Sequence, residues 1–257
     1  MRRVVKIGGR AQADPALVGA VAAAVDSGDS VCLVHGGGDE VSILQRRLGM
    51  EPKFLGGRRV TSAEDMDIVR MVLSGTTNKR LVAQLISVGV RAVGISGEDA
   101  GLFKARVTDP QMGRVGGRVD VDASIITHLL AGNFVPVVSP VARDATDATG
   151  LGLNVNGDDA AAALAAAVGA EDLVLVADVP GVLDNDGVIP TLNLEAARVL
   201  VERGVVTGGM AAKLEAAAFA LTHGVPCVRI AGITGISRIS CGTRIVLTAS
   251  ATPSPLR

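Results

Sequence analysis

The sequence contains no tryptophan and no tyrosine, and aromatic residues make up only 2% of it. Stacking platforms for nucleobases are therefore scarce. No run of lysine or arginine is long enough to follow a phosphate backbone, and the formal net charge is −1, which argues against a nucleic-acid partner. The three cysteines, Cys32, Cys227 and Cys241, are far apart and form no C-x-x-C pair, and there are three histidines. This argues against a zinc site or a disulfide framework. The apolar stretches are broken by Gly, Asp or His before reaching membrane-spanning length, and Met1 to Lys6 lacks the apolar region of a signal peptide. A soluble, cytoplasmic protein with no membrane partner is expected. The common nucleotide signatures are also missing. There is no G-x-x-x-x-G-K-[ST], no G-x-G-x-x-G opening a helix after the first strand, and no H-R-D or D-F-G.

Alanine, valine, leucine and isoleucine must build the core of a chain that is 48% hydrophobic, and 32 glycines supply tight turns and close backbone approaches. Apolar runs alternate with amphipathic segments. Strands are expected at Val4–Ile7, Val31–Val34, Arg91–Ile95, Phe134–Val138, Leu173–Ala177, Cys227–Ile230 and Thr243–Leu247. Helices are expected after Asp14-Pro15, after Gly38 with Val41, Leu44 and Leu48 on one face, and from a capping box at Thr61–Glu64 to about Val88, weakened near Ser74-Gly75. Further helices fit Asp122–Ala131, the alanine-rich Asp158–Val168, Leu194–Arg203 and Met210–His223, and Leu102–Val119 reads as a β-hairpin region. Strand–helix alternation implies an α/β fold with a mainly parallel sheet covered on both faces. Residues 1–168 are expected as an N-terminal lobe and 169–257 as a C-terminal lobe, with the polar loop Asp144–Gly152 as a second boundary candidate and a disordered tail from Ser250.

Gly8-Gly9 and Gly36-Gly37-Gly38 each follow a strand. Bare backbone N–H groups at strand ends can hold phosphate oxygens, although tight turns alone would also explain a single pair. Lys6 ends the first strand, pointing either to solvent or into a site. Lys213 is expected in the first turn of the helix after Gly208-Gly209, where a cation opposes the helix field; either an anion lies between them or the lysine is exposed on the surface and tolerated at small cost. Asn154-Val155-Asn156-Gly157-Asp158 precedes the alanine helix, and Asn156 or Asp158 suits an N-cap. Arg58-Arg59, after Gly56-Gly57, could clamp a carboxylate or lie solvated on the surface.

Taken in order, Lys6-Ile7-Gly8-Gly9, Val34-His35-Gly36-Gly37-Gly38, Gly57-Arg58-Arg59-Val60-Thr61, Asn154–Asp158, Asp178–Asp184, Gly209-Met210 with Lys213, and Gly242–Ile245 resemble the amino acid kinase family over about Val4–Val246. The resemblance implies a three-layer αβα sandwich of the carbamate kinase-like type. It also implies ATP with Mg²⁺, no protein metal site, and phosphorylation of the side-chain carboxylate of N-acetyl-L-glutamate. Within it, Lys6, Lys213 and Asp158 would be catalytic. Gly36, Gly37, Arg59 and Asn154 would bind the acyl amino acid. Gly8, Gly9, Asp178, Gly181, Leu183, Gly209 and Met210 would bind the nucleotide. The N-terminal lobe would carry the acyl amino acid site and the dimer contact, and the C-terminal lobe would carry ATP. Three residues precede Val4, which within the resemblance implies an arginine-insensitive homodimer joined along the helix from Glu64. Gly157 stands where the family often has alanine, and Ile230–Gly242 is short. Rival readings are a carrier-linked aminoadipate or glutamate kinase, with Arg106, Arg114 and Arg118 as a basic rim, uridylate or carbamate kinases, and a non-catalytic sensor.

Overall fold

The computed structural model describes residues 1–147, 149–184 and 187–247. The tail from Ser250, expected to be disordered, lies outside them. Each buried strand is a run of β-branched and aliphatic residues whose alternate side chains enter opposite layers. In β1 (Arg2–Ile7), Val4 joins one core cluster while Val5 and Ile7 join the other. β2 (Ser30–His35) repeats the pattern, with Cys32 and Val34 opposed to Val31 and Leu33. Between them, Gly8-Gly9 turns into a short 3₁₀ segment, Arg10–Ala13, and α1 (Ala16–Asp26) follows. Asp14 Oδ1 accepts the Ala16 N–H, and Gly28 ends the helix with φ +90°.

α2 (Gly38–Arg47) starts directly from the glycine run. Leu48, expected on its buried face, lies beyond its last turn and is exposed. A small hairpin follows, β3 (Phe54–Leu55) and β4 (Arg58–Arg59). The capping box falls one residue later than expected. Ser62 caps α3 (Ala63–Val69), with Asp65 N–H donating to Ser62 Oγ and Ser62 N–H donating to Asp65 Oδ2. The helix continues through a π-helical segment, Arg70–Thr77, containing the suspected weak point Ser74-Gly75, into α4 (Asn78–Ser87).

The region 102–119 is not a self-contained hairpin. After β5 (Ala92–Ser96), β6 (Phe103–Ala105) pairs antiparallel with β7 (Asp120–Val121) and parallel with a strand far along the chain. That strand is β9 (Val141–Asp144), which follows α5 (Ser124–Ala131) and β8 (Val135–Ser139). β9 pairs antiparallel with β10 (Gly152–Asn154), so the polar stretch from Asp144 to Gly152 connects two paired strands. Together these form a small second sheet, β10-β9-β6-β7.

Asn156 caps α6 (Gly157–Ala167), accepting the N–H groups of Asp158 and Asp159. The chain then returns to the main sheet through β11 (Asp172–Val176). A minor hairpin, β12 (Leu183–Asp184) with β13 (Gly187–Val188), precedes β14 (Thr191–Asn193), α7 (Leu194–Glu202), α8 (Gly208–Thr222), β15 (Val228–Ala231) and β16 (Thr243–Val246). The main sheet runs β14-β16-β15-β11-β1-β2-β8-β5. Within it only the β15–β16 pairing is antiparallel. α5, α6 and α8 pack on one face and α1 and α4 on the other, giving three layers. Ala160–Ala163 and Ala165 of α6 are buried, and their small side chains let it pack closely against Ala216, Ala217 and Ala220 of α8.

From the central strand β1, the chain builds outward through β2 on one side and through β11 on the other. This leaves a crevice beyond the carboxyl ends of those strands, where ligands bind in open α/β sheets.

Candidate active site

Three charged side chains from three elements meet at that crevice. Lys6, near the end of β1, places Nζ 3.1 Å from Asp158 Oδ2. Lys213, from α8, places Nζ 3.4 Å from Asp158 Oδ1. Asp158 stands in the first turn of α6, where the helix field favours a carboxylate, and all three side chains are buried. One carboxylate thus holds two cations that would otherwise repel. Lys213 is the sixth residue of α8, in its second turn rather than its first, so the helix field does not explain its position and the bond to Asp158 does. Burial, and then the Lys6 charge, push the Lys213 pKa below the ordinary lysine range, and Asp158 opposes them.

A cavity opens on either side of this hub. One, of about 370 Å³, is lined by Gly8, Gly9, Asp178, Gly209, Met210 and Lys213, all expected at the site. The other, of about 210 Å³, is lined by Gly36, Gly37, Arg59 and Asn154 with apolar walls from Val69, Leu73 and Val115. Gly38 lines both. The first cavity is edged by Arg10, 3.5 Å from Asp178 and 3.9 Å from Asp39. Gly181 and Leu183 line neither. A Cβ at Gly181 would lie 2.6 Å from Val188 Cγ1 and 2.7 Å from Thr243 Oγ1, so glycine there permits close packing, and Leu183 is exposed. The short Ile230–Gly242 stretch is pinned from below, with Arg229 donating to the carbonyls of Arg238 and Cys241.

The glycine loops touch. A Cβ at Gly9 would lie 3.6 Å from Gly37 Cα. Gly37 has φ +152°, a backbone conformation that favours glycine, and a Cβ there would lie 2.7 Å from Leu73 Cδ2, so that side chain would have to shift. A Cβ at Gly157 would lie 3.3 Å from Lys6 Cε.

The two adjacent arginines do not act as one clamp. Arg58 pairs outward with Asp159 at 3.3 Å. Arg59 is buried beneath the Phe54 ring and donates to Gln45 Oε1, to Gly38 O at 2.6 Å and to Ser42 Oγ at 2.7 Å. Its Nε–H has no partner among the described residues. Asn154 Nδ2 donates to Thr61 Oγ1 at 3.1 Å, and the Thr61 hydroxyl donates in turn to Arg59 O at 3.2 Å. Fully buried Thr61 therefore ties the two expected substrate residues together.

Sequence reasoning read Thr61 as a helix cap rather than a site residue, and assigned no role to Gln45, Gln12, His35 or Asn78. His35 was visible within Val34-His35-Gly36, a polar side chain ending an apolar strand. Burial lowers its pKa to about 4 and keeps it neutral. Of the arginines read as a basic rim, Arg114 turns onto Asp144 at 3.1 Å and Asp147 at 3.3 Å. Among the described residues, no group of His, Cys, Asp and Glu is arranged to hold a metal ion, and no helix is long and apolar enough to cross a membrane.

An open α/β sheet with paired lysines and glycine loops at its switch point defines a phosphate-handling protein of the three-layer type. Comparison with known proteins makes the class specific. Residues 1–232 match the amino acid kinase family, and the chain belongs to that family and is a kinase. It is 43% identical over 237 residues to the acetylglutamate kinase of Chloroflexus aurantiacus, covering 91% of this chain and 92% of the relative. The crystal structure of smu.665 from Streptococcus mutans superposes with a TM-score of 0.84 at 28% identity, covering 96% of this chain and 99% of that one. A carbamate kinase from Giardia lamblia bound to AMP-PNP shares the fold, with a TM-score of 0.71 at 15% identity over 96% of this chain and 98% of its own.

Proposed function

We propose that the protein transfers the γ-phosphoryl group of ATP to the side-chain carboxylate of N-acetyl-L-glutamate, giving N-acetylglutamyl 5-phosphate and ADP, a step of arginine biosynthesis. The observation that carries this reading is the Lys6–Asp158–Lys213 hub between two cavities, with the glycine loops in contact beside it. Relatives named acetylglutamate kinase at this level of identity over nearly the whole chain support the choice of substrate.

The larger cavity suits the nucleotide and the smaller one the acyl amino acid, as the lobes at 1–168 and 169–257 would divide them, with Gly8 and Gly9 serving the nucleotide from the first lobe. A carboxylate nucleophile with a pKa near ~4.3 is already ionised at neutral pH and needs no general base. The protein's task is to align it with the γ-phosphorus and to place positive charge around the transferring group. Lys6 is assigned to the transferring phosphoryl group and Lys213 to the leaving β–γ bridging oxygen, with Asp158 setting both ammonium groups. Arg59 would offer its unpartnered Nε–H to the substrate α-carboxylate, and Asn154 would bind the acyl amino acid beside it. Mg²⁺ would arrive with ATP, held by phosphate oxygens and water; the carboxylates lining the nucleotide cavity, Asp39 and Asp178, could reach that water shell.

The carrier-linked reading is less well supported, because Arg114 is turned inward and Asp109 and Asp120 flank the same region. The three free cysteines suit the reducing cytoplasm. A homodimer through the helix from Glu64 is part of the proposal, supported by exposed Met71 and Ile86 on that stretch. Light scattering giving about twice the chain mass is expected, and a monomer or a hexamer would contradict it. The activity is tested by ADP release with N-acetyl-L-glutamate, unacetylated glutamate and acetylated aminoadipate in parallel. Turnover with the first alone is expected, and equal turnover with the others would overturn the substrate assignment.

A further inference from the structure

The glycine run after β2 does not offer equivalent N–H groups to a ligand. The Gly36 N–H is committed to Ile7 O at 2.9 Å. The Gly37 N–H has no acceptor among the described residues. Its direction is set by the carbonyl at the other end of the same peptide. Gly36 O accepts two hydrogen bonds, from Gln12 Nε2 at 2.9 Å and from His35 Nδ1 at 2.8 Å. In a planar trans peptide the C=O and N–H groups point in opposite directions. Holding Gly36 O against Gln12 and His35 therefore turns the Gly37 N–H away from them.

Both donors are specified by their surroundings. Asn78 Nδ2 lies 3.1 Å from His35 Nε2 and donates to Val137 O at 2.8 Å. An amide nitrogen only donates, so Nε2 is the acceptor and Nδ1 carries the proton that goes to Gly36 O. Gln12 is 6% exposed, and its Oε1 is buried with no hydrogen-bond partner. A buried orphan acceptor is destabilising and uncommon, and an apolar side chain of the same size would avoid it. What the amide supplies here is its Nε2–H to Gly36 O.

We propose that Gln12 and His35 are positioning residues that lock the Gly36–Gly37 peptide, so that the Gly37 N–H is a preformed donor to the transferring phosphoryl group at the junction of the two cavities. The proposal rests on the phosphotransfer reading above. Neither side chain touches the reacting atoms; each acts through one peptide plane.

The test compares Q12M, H35N and H35L with the wild type. Q12M keeps the side chain's length and removes both the donor and the orphan oxygen. Its kcat is expected to fall about ten- to a hundredfold, with the KM for ATP within about twofold of wild type. Its unfolding midpoint should equal or exceed that of the wild type, because an unsatisfied acceptor has gone. H35N keeps a donor near the Nδ1 position and should retain most of kcat, whereas H35L should not. Wild-type kcat in Q12M, or a lowered midpoint with kcat unchanged, would overturn the proposal and leave Gln12 a packing residue. Should the wild type itself fail to phosphorylate N-acetyl-L-glutamate, the reading of the reaction fails separately. The lock is then decided by the crystal structure of Q12M, in which a reoriented Gly36 carbonyl supports it and an unmoved one overturns it.

Discussion

Asp158 carries more of the site than any other side chain, because two buried ammonium groups depend on one carboxylate. Asp158→Asn keeps the shape and removes the charge. The kcat is expected to fall by about a hundredfold or more, since the transferring group loses correctly placed cations. The pH profile should also move. The Lys213 pKa is already depressed by burial and by Lys6, and Asp158 is what raises it. Without that charge the ammonium gives up its proton at lower pH, so the alkaline limb of the kcat profile should shift downward. An unshifted limb would show that Lys213 does not govern it. His35 makes the opposite kind of statement, about stability. Its pKa is about 4 in the folded chain and near ~6.5 when unfolded. As pH falls, the unfolded state takes up the proton first, so this contribution is complete above about pH 6.5 and is lost down to about pH 4, on the order of 3 kcal/mol in all. Urea unfolding at pH 7 and pH 4.5 should show that loss in the wild type and a smaller one in H35N.

Among the elements, the helical stretch from Ala63 to Ser87 gives the smaller cavity part of its apolar wall, since Val69 and Leu73 both reach it. Its start rests on the reciprocal Ser62–Asp65 box. Ser62→Ala should cost about 1 kcal/mol and lower the melting temperature by about 2–4 °C, readable by calorimetry, and no change in melting would mean that tertiary packing alone holds the helix end. This helix also shows what was legible in the sequence. Its extent and its weak point at Ser74-Gly75 were readable, because they depend on local pattern. The capping register was not, because Thr61-x-x-Glu64 and Ser62-x-x-Asp65 are nearly equivalent as strings, and Thr61 is instead bound to Arg59 and Asn154. The glycine loops and Lys6 were visible for the same local reason, each ending an apolar strand. The second sheet was not, since β6 is a three-residue strand that takes a partner from the distant β9. Gln12 was invisible because its role is a single contact to a carbonyl 24 residues away.

At the scale of the whole molecule, the two ends of the sheet have different tasks. The carboxyl ends of β1, β2 and β11 hold the site. The amino ends are tied by a buried cluster in which Asp172 binds Arg3 at 2.7 Å and Arg229 at 2.7 Å, with Arg3 also 2.8 Å from Asp29. Asp172→Asn leaves two buried guanidinium groups short of charge compensation, and a loss of about 3–5 kcal/mol is expected by urea unfolding. The kcat at a temperature where the variant remains folded should be unchanged, because the cluster lies at the far end of the strands. A marked fall in kcat without a stability loss would mean that the two ends are coupled. The overall α/β plan was the most readable feature of the sequence, because seven apolar runs separated by amphipathic stretches leave little else to build. The meeting of Lys6, Asp158 and Lys213 could not be read from spacing alone, since 152 and 55 residues separate the paired partners.

The central claim is that this hub passes a phosphoryl group between the two cavities to the carboxylate of an acylated glutamate. ³¹P NMR of the protein with Mg·ATP and N-acetyl-L-glutamate, with hydroxylamine trapping the product in a parallel sample, tests it most directly. One acyl phosphate, or one hydroxamate, formed for each ADP released, and none with unacetylated glutamate, is the expected result. ADP released without any acyl phosphate, or an equal yield from unacetylated glutamate, would contradict it.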